Sequence, residues 1–226
     1  MARTLEQSIA WMDDGTERCS AIIGTLEDDQ WTQPCALPGW TRAHLVAHLD
    51  GNARALQNLV HWADTGVETP MYSSPEQRND DIQSGAQLPG SVLRARFEES
   101  RDVLSRGLRD HDEQWWSREV RTGMGRVVPA STIPWLRSRE VMIHAVDLDA
   151  GVTFDDLPPD FLAALIDDVV KQRSAIDGHP VLELTTGDRT WVIGTGTATA
   201  VTGSLGQLAA YLTGRGMLGP AIPAWL

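Results

Sequence analysis

Over the first 150 residues apolar side chains recur at three- and four-residue intervals, which gathers them on one face of a helix. Leu5, Ile9, Met12, Cys19, Ile22, Ile23 and Leu26 predict a first helix over residues 5–26. WTQPCALPG, with two prolines, reads as a turn-rich connector. Thr41 stands where an N-cap belongs, and a second helical pattern runs to about Asp64. The polar, proline-bearing TGVETPMYSSPEQRNDD then predicts a loop long enough to be functional or mobile. A third helical pattern covers residues 90–108, and a less regular part contains Trp115, Trp116 and residues 122–128. A fourth begins near Ser131 and ends before Gly151. Four helices of this size predict a bundle.

Beyond Gly151 the pattern changes. The acidic, proline-rich VTFDDLPPD leads into a helix over residues 161–176. Residues 181–184, 190–193 and 198–201 then read as short strands separated by glycine-containing turns. A last helix covers residues 204–212. The expected class is α+β: a four-helix bundle over residues 1–153, then a small α+β domain over residues 154–226.

Helical phase sorts the candidate chemistry. In the second helix Leu45, Leu49, Ala53, Leu56 and Val60 fall within about 80° of arc. His48 lies at the edge of that stripe, beside Asn52, whereas His44 is turned about 40° further toward the polar face. The fourth helix has apolar residues all round, which predicts burial on several sides. It nevertheless carries Arg137, Glu140, His144 and Asp147 within about 80°. Ionised groups there need partners. Two arrangements supply them. One joins Glu140 and His144, four residues apart on one face, to His48 as a metal site with an open position. The other is a buried ion-pair network of Glu140 with Arg137 or Arg139, with His144 as a hydrogen-bonded core residue. Spacing does not choose between them. His61, out of phase with His48, reads as structural, and His111 and His179, in polar turns, as surface residues. Trp40 and Trp135 are expected to wall the site.

Composition narrows the partners. With 19 basic against 31 acidic residues the net charge is −12, which argues against nucleic acid and anionic membrane surfaces as partners. No apolar run approaches the length of a membrane span. Of the basic residues 18 are arginine and one, Lys171, is lysine. Base composition explains that skew, but arginine also grips carboxylates in bidentate fashion. Cys19 and Cys35 form no CxxC and are too few for a disulfide framework. They are read as reduced thiols of a cytoplasmic protein, and the first residues, with charges at Arg3 and Glu6, do not read as a signal peptide.

PGWTRAHLVAHLDGN (38–52), NLVHWADTGVETPMYSSPEQRND (58–80), RVVPAS (126–131) and RSREVMIHAVDLDAG (137–151) resemble the mycothiol-dependent maleylpyruvate isomerases. The resemblance covers almost the whole chain. It implies a DinB-like metal-binding bundle followed by a domain similar to sterol-carrier proteins. It also implies zinc ligands at His48, Glu140 and His144, with another divalent metal as the alternative. Arg215, in YLTGRG, is implied to meet the substrate or cofactor, and Arg78, in SPEQRND, to hold a carboxylate. The implied cofactor is mycothiol. The implied reaction converts maleylpyruvate to fumarylpyruvate in gentisate breakdown, by thiolate addition, bond rotation and elimination. The substrate is a small dicarboxylate, and a monomer or weak homo-oligomer is expected. Two other functions remain: a mycothiol S-transferase acting on electrophiles, and a non-catalytic module binding a metal and an apolar ligand.

Overall fold

The computed structural model describes residues 3–176, 178–187 and 189–223. Its elements are α1 (Leu5–Thr25), α2 (Arg42–Thr65), α3 (Pro75–Gly85), α4 (Gly90–Gly107), α5 (Glu113–Trp116), β1 (Glu119–Arg121), β2 (Val127–Pro129) and α6 (Ile133–Asp147). After these come α7 (Pro159–Arg173), β3 (Leu182–Thr186), β4 (Arg189–Ile193), β5 (Thr199–Thr202) and α8 (Leu205–Leu212). Contacts divide the chain after Ala150, and the class is α+β as expected.

In the N-terminal unit α1 lies along α6, α2 along α4, and α2 also meets α6. The chain ends of these helices are chemically specified. Thr4 and Gln7 form a capping box at the start of α1, and Thr41 does the same for α2 with His44 as the returning side chain. Gly66, at φ 73°, closes α2 in the left-handed conformation that glycine adopts without strain. The bundle core includes Met12, Leu56, Leu59, Leu104 and Ile133. Helices α1 and α6 approach closely at Gly15, where an added Cβ would stand 2.6 Å from Val141 Cγ2 and 3.1 Å from the Met142 amide nitrogen. Because one of those neighbours is backbone, Gly15→Ala should lower unfolding free energy by about 1–3 kcal/mol. A urea titration reads this directly as an earlier midpoint.

Two parts differ from the expectation. The end of the segment predicted as a loop is α3, where Ser74 accepts from the Gln77 amide and Pro75 occupies the first turn. That is a helix-start signal which the polar composition masked. The irregular part contains α5 and an antiparallel hairpin in which Val120 pairs with Val128.

In the C-terminal unit the strand order is β4-β3-β5, with β3 antiparallel to β4 and parallel to β5. Leu182, Leu184, Ile193 and Val201 are buried, as are Phe161, Leu165, Ile166 and Val169 of α7, which packs on β4. His179, expected on the surface, is buried at 8% exposure. It lies 3.3 Å from Nη1 of Arg173, whose other nitrogens donate to the carbonyls of Leu212 and Pro223. A buried arginine that joins three segments recruits a histidine which local sequence places in a turn.

Candidate metal centre

The site is built where α2 passes α6. His48 and Asn52, one turn apart on α2, are 6% and 4% exposed. Glu140 and His144, one turn apart on α6, face them. His48 Nε2 is 2.9 Å and His144 Nε2 3.4 Å from Glu140 Oε2. One ligand atom from each of these three residues lies within 4.8 Å of the others. The imidazoles meet edge to face with centroids 5.0 Å apart, and the Trp40 ring stands 5.7 Å from that of His48. Trp135 packs edge-on against Trp11. His44 is diverted to its helix cap, 2.7 Å from Thr41 Oγ1.

The outer nitrogens are held too. His144 Nδ1 lies 2.8 Å from Oδ2 of Asp147, which is fully buried, so the carboxylate fixes the ring with Nε2 toward Glu140. His48 Nδ1 lies 3.2 Å from Nη2 of Arg78. A guanidinium only donates, so in this arrangement Nδ1 accepts and the Nε2 proton is directed at Glu140. Arg137, which the ion-pair arrangement offered with Arg139 as a partner for Glu140, makes its hydrogen bonds to α2, where its Nη1 donates to Leu49 O at 2.9 Å and Asn52 Oδ1 at 2.8 Å.

Charge within the group is unevenly shared. Burial works to raise the Glu140 carboxyl, yet hydrogen bonds from His144 and His48 and their positive charge hold it well below the usual carboxylate range. Burial also works to lower His144, but Asp147 and Glu140 outweigh it and push the imidazole up. For His48 burial wins over the pull of Glu140, with His144 and Arg78 adding to it, and the imidazole is lowered. One neutral imidazole, one proton-loving imidazole and one carboxylate therefore converge.

Two imidazole nitrogens and a carboxylate oxygen, with an outer carboxylate on one ring, fit the chemistry of a divalent metal with an open position. Neither protein thiol is placed for nucleophilic work. Burial pushes the Cys19 thiol up to about 12, only partly offset by Arg137. Cys35 is likewise raised, chiefly by burial. Arg215 belongs to the other unit, in the turn after α8, where its Nη1 donates to Thr213 O at 2.6 Å. His61 is exposed on α2, and His111, expected on the surface, stacks on Trp115 with centroids 3.6 Å apart.

A helical bundle with such a donor set, followed by an α+β unit, defines a class of metal-site bundle proteins. The profile of the mycothiol maleylpyruvate isomerase N-terminal domain matches residues 12–149. Two solved structures are similar over the whole length. One is a mycothiol-dependent maleylpyruvate isomerase, with 38% identity and TM-score 0.92, and the other a histidine-to-alanine mutant of such an isomerase, with 37% and 0.91. Each covers 99% of this chain and 98% of its own. A search of curated protein sequences returns no match. The chain belongs to the mycothiol maleylpyruvate isomerase family.

Proposed function

We propose that the protein isomerises maleylpyruvate to fumarylpyruvate, using mycothiol and a divalent metal held by His48, Glu140 and His144. The observation that carries this reading is the convergence of those three donors in a chain that shares 38% identity with a mycothiol-dependent maleylpyruvate isomerase. Zinc suits two imidazoles and a carboxylate, although the same donors accept other divalent ions. When bound, the metal keeps a thiol sulfur in its thiolate form, and mycothiol provides that sulfur as nucleophile.

A double bond does not rotate, so the cis alkene must become a single bond for a moment. Addition of sulfur at one alkene carbon sends the π electron pair to the conjugated ketone oxygen, giving an enolate. Rotation about the new single bond follows. The enolate pair then re-forms the alkene, now trans, and the C–S bond breaks to release the thiolate unchanged.

The chain's own residues hold the reactants and balance charge. Arg78 supplies a guanidinium beside the donors, in a protein whose net charge of −12 repels a dianion. If His48 held a metal, its other ring nitrogen would carry the proton and would no longer accept from Arg78, whose guanidinium, 3.2 Å away, would then be available to a substrate carboxylate. Arg215 is proposed as the second anchor, meeting substrate or cofactor. Arg78→Met should therefore retain the metal while kcat/KM falls about 10- to 100-fold, the worth of one charge-assisted hydrogen bond. Metal analysis and steady-state kinetics on one sample check both halves.

No helix among the described residues is long and apolar enough to cross a membrane. The working picture is a cytoplasmic enzyme, monomeric or weakly self-associating, with mycothiol and a small dicarboxylate as partners and no role for nucleic acid. Substoichiometric mycothiol tests isomerisation against S-transfer. An isomerase converts many equivalents and returns the free thiol, whereas consumption of one thiol per substrate would contradict this reading.

A further inference from the structure

The two helices that carry the donors are tied together on both sides of them. Arg42, the first residue of α2, is buried and sends its guanidinium across to the turn that ends α6. Its Nε donates to Leu148 O at 2.8 Å and its Nη2 to Asp149 O at 2.7 Å, while Nη1 donates to Gln33 Oε1 at 2.9 Å. All three guanidinium nitrogens therefore have acceptors. Arg137 makes the return tie, from α6 to Leu49 O and Asn52 Oδ1 of α2. Along α2 the order is Arg42, His48, then Leu49 and Asn52. Along α6, read backwards, it is Asp149 and Leu148, then His144 and Glu140, then Arg137. The helices run antiparallel here, and the three donors lie between the ties.

The end of α6 is shaped to receive Arg42. A helix leaves its last carbonyls without partners of its own. Here the chain leaves the helix through Asp149 at φ 53°, a left-handed conformation that aspartate tolerates better than most residues. Asp147 O accepts from the Ala36 amide at 2.9 Å, and the next two carbonyls accept from Arg42. A positive charge at that end also suits the helix dipole. Because the Asp147 carboxylate holds the His144 ring, one turn both orients a donor and receives the tie. Lysine is a poor substitute at position 42, since its ammonium is a single point and the acceptors are three separate oxygens.

We propose that Arg42 is a positioning residue for the metal centre, fixing α2 against α6 so that His48 stands opposite Glu140 and His144 before a metal arrives. The tie at Arg137 alone is a pivot. A second one, about 10 Å further along α2 at 1.5 Å per residue, fixes the angle between the helices as well. Metal affinity depends on that placement, because donors already in position need no ordering on binding. The inference rests on the metal reading of the three donors and is independent of the substrate.

The test is metal binding by metal-free Arg42→Met, with Arg42→Lys as a second variant that keeps the charge but not the fork. Cobalt(II) serves as the probe, titrated against a competing chelator and followed by its visible absorption, while circular dichroism gives the folded fraction. In folded Arg42→Met the affinity is expected to fall about tenfold, the lower end of what losing an outer partner of a metal site costs. The visible bands should also weaken at saturation, as water replaces an imidazole that no longer reaches the ion. Arg42→Lys should lose affinity too. Wild-type affinity and spectrum in either folded variant would overturn the proposal, and so would unfolding of both, since that assigns Arg42 to the fold alone. If wild type binds no cobalt, the metal reading itself has failed; if it binds and the folded variants bind equally, only the positioning role has.

Discussion

His48→Ala is expected to lose its divalent metal and its isomerase turnover together, with the bundle still folded. His48 supplies one of three donors, and no described side chain is placed to replace it: His44 is held at the helix cap, 2.7 Å from Thr41 Oγ1. Losing an outer partner of a metal ligand costs roughly 10- to 100-fold in affinity or activity, so losing the ligand itself should exceed that. The fold should survive because the neighbouring core of Leu45, Leu49 and Leu56 is fully buried and untouched. Elemental analysis after dialysis against free zinc, with circular dichroism on the same sample, reads both outcomes. A folded His48→Ala protein that kept one equivalent of metal would remove His48 from the site. Asp147→Asn is the milder counterpart, since the His144 ring would keep its place and lose only the carboxylate at 2.8 Å.

The second large effect is on pH. A metal binds deprotonated imidazole, so metal and proton compete for His144, whose value is raised. Affinity should therefore begin to fall at a pH above the ordinary histidine value and drop about tenfold for each further unit. In the metal-free protein the signs differ between groups. His144, raised on folding, contributes stability that is fully present below its unfolded value and is lost as pH rises through the folded one. Glu140, depressed on folding, contributes stability present above its unfolded value and lost as pH falls through the folded one. The metal-free protein should thus be most stable between the carboxylate and histidine ranges, and metal should shift the optimum upward. Thermal melts across pH 4–8, with and without zinc, would reveal the shift. Coincident profiles would show that no proton is displaced.

Helical periodicity carried most of the bundle, because α1, α2, α4 and α6 each bury a stripe and begin at recognisable caps or prolines. Periodicity missed α3, which buries only Ile82 and Gly85 and so lacks a stripe; its start at Ser74 and Pro75 was the legible part. For the site, phase favoured His48 over His44 and grouped Glu140 with His144, and the fold brings these together. Other partners were not legible. Phase left open whether Arg137 pairs with Glu140, and its hydrogen bonds go to Leu49 O and Asn52 Oδ1, because a buried guanidinium seeks the carbonyl and amide acceptors of the helix it faces. Arg78 was named by the resemblance and not by phase, and it reaches 3.2 Å from His48 because the segment that reads as a loop ends in α3, which carries it.

The most direct measurement is conversion of maleylpyruvate by metal-loaded protein, followed by the appearance of the trans isomer, with and without mycothiol and after chelation. Rapid conversion is expected only with metal and mycothiol together, with mycothiol recovered as free thiol. Conversion without mycothiol, or undiminished conversion after the metal is removed, would contradict the account.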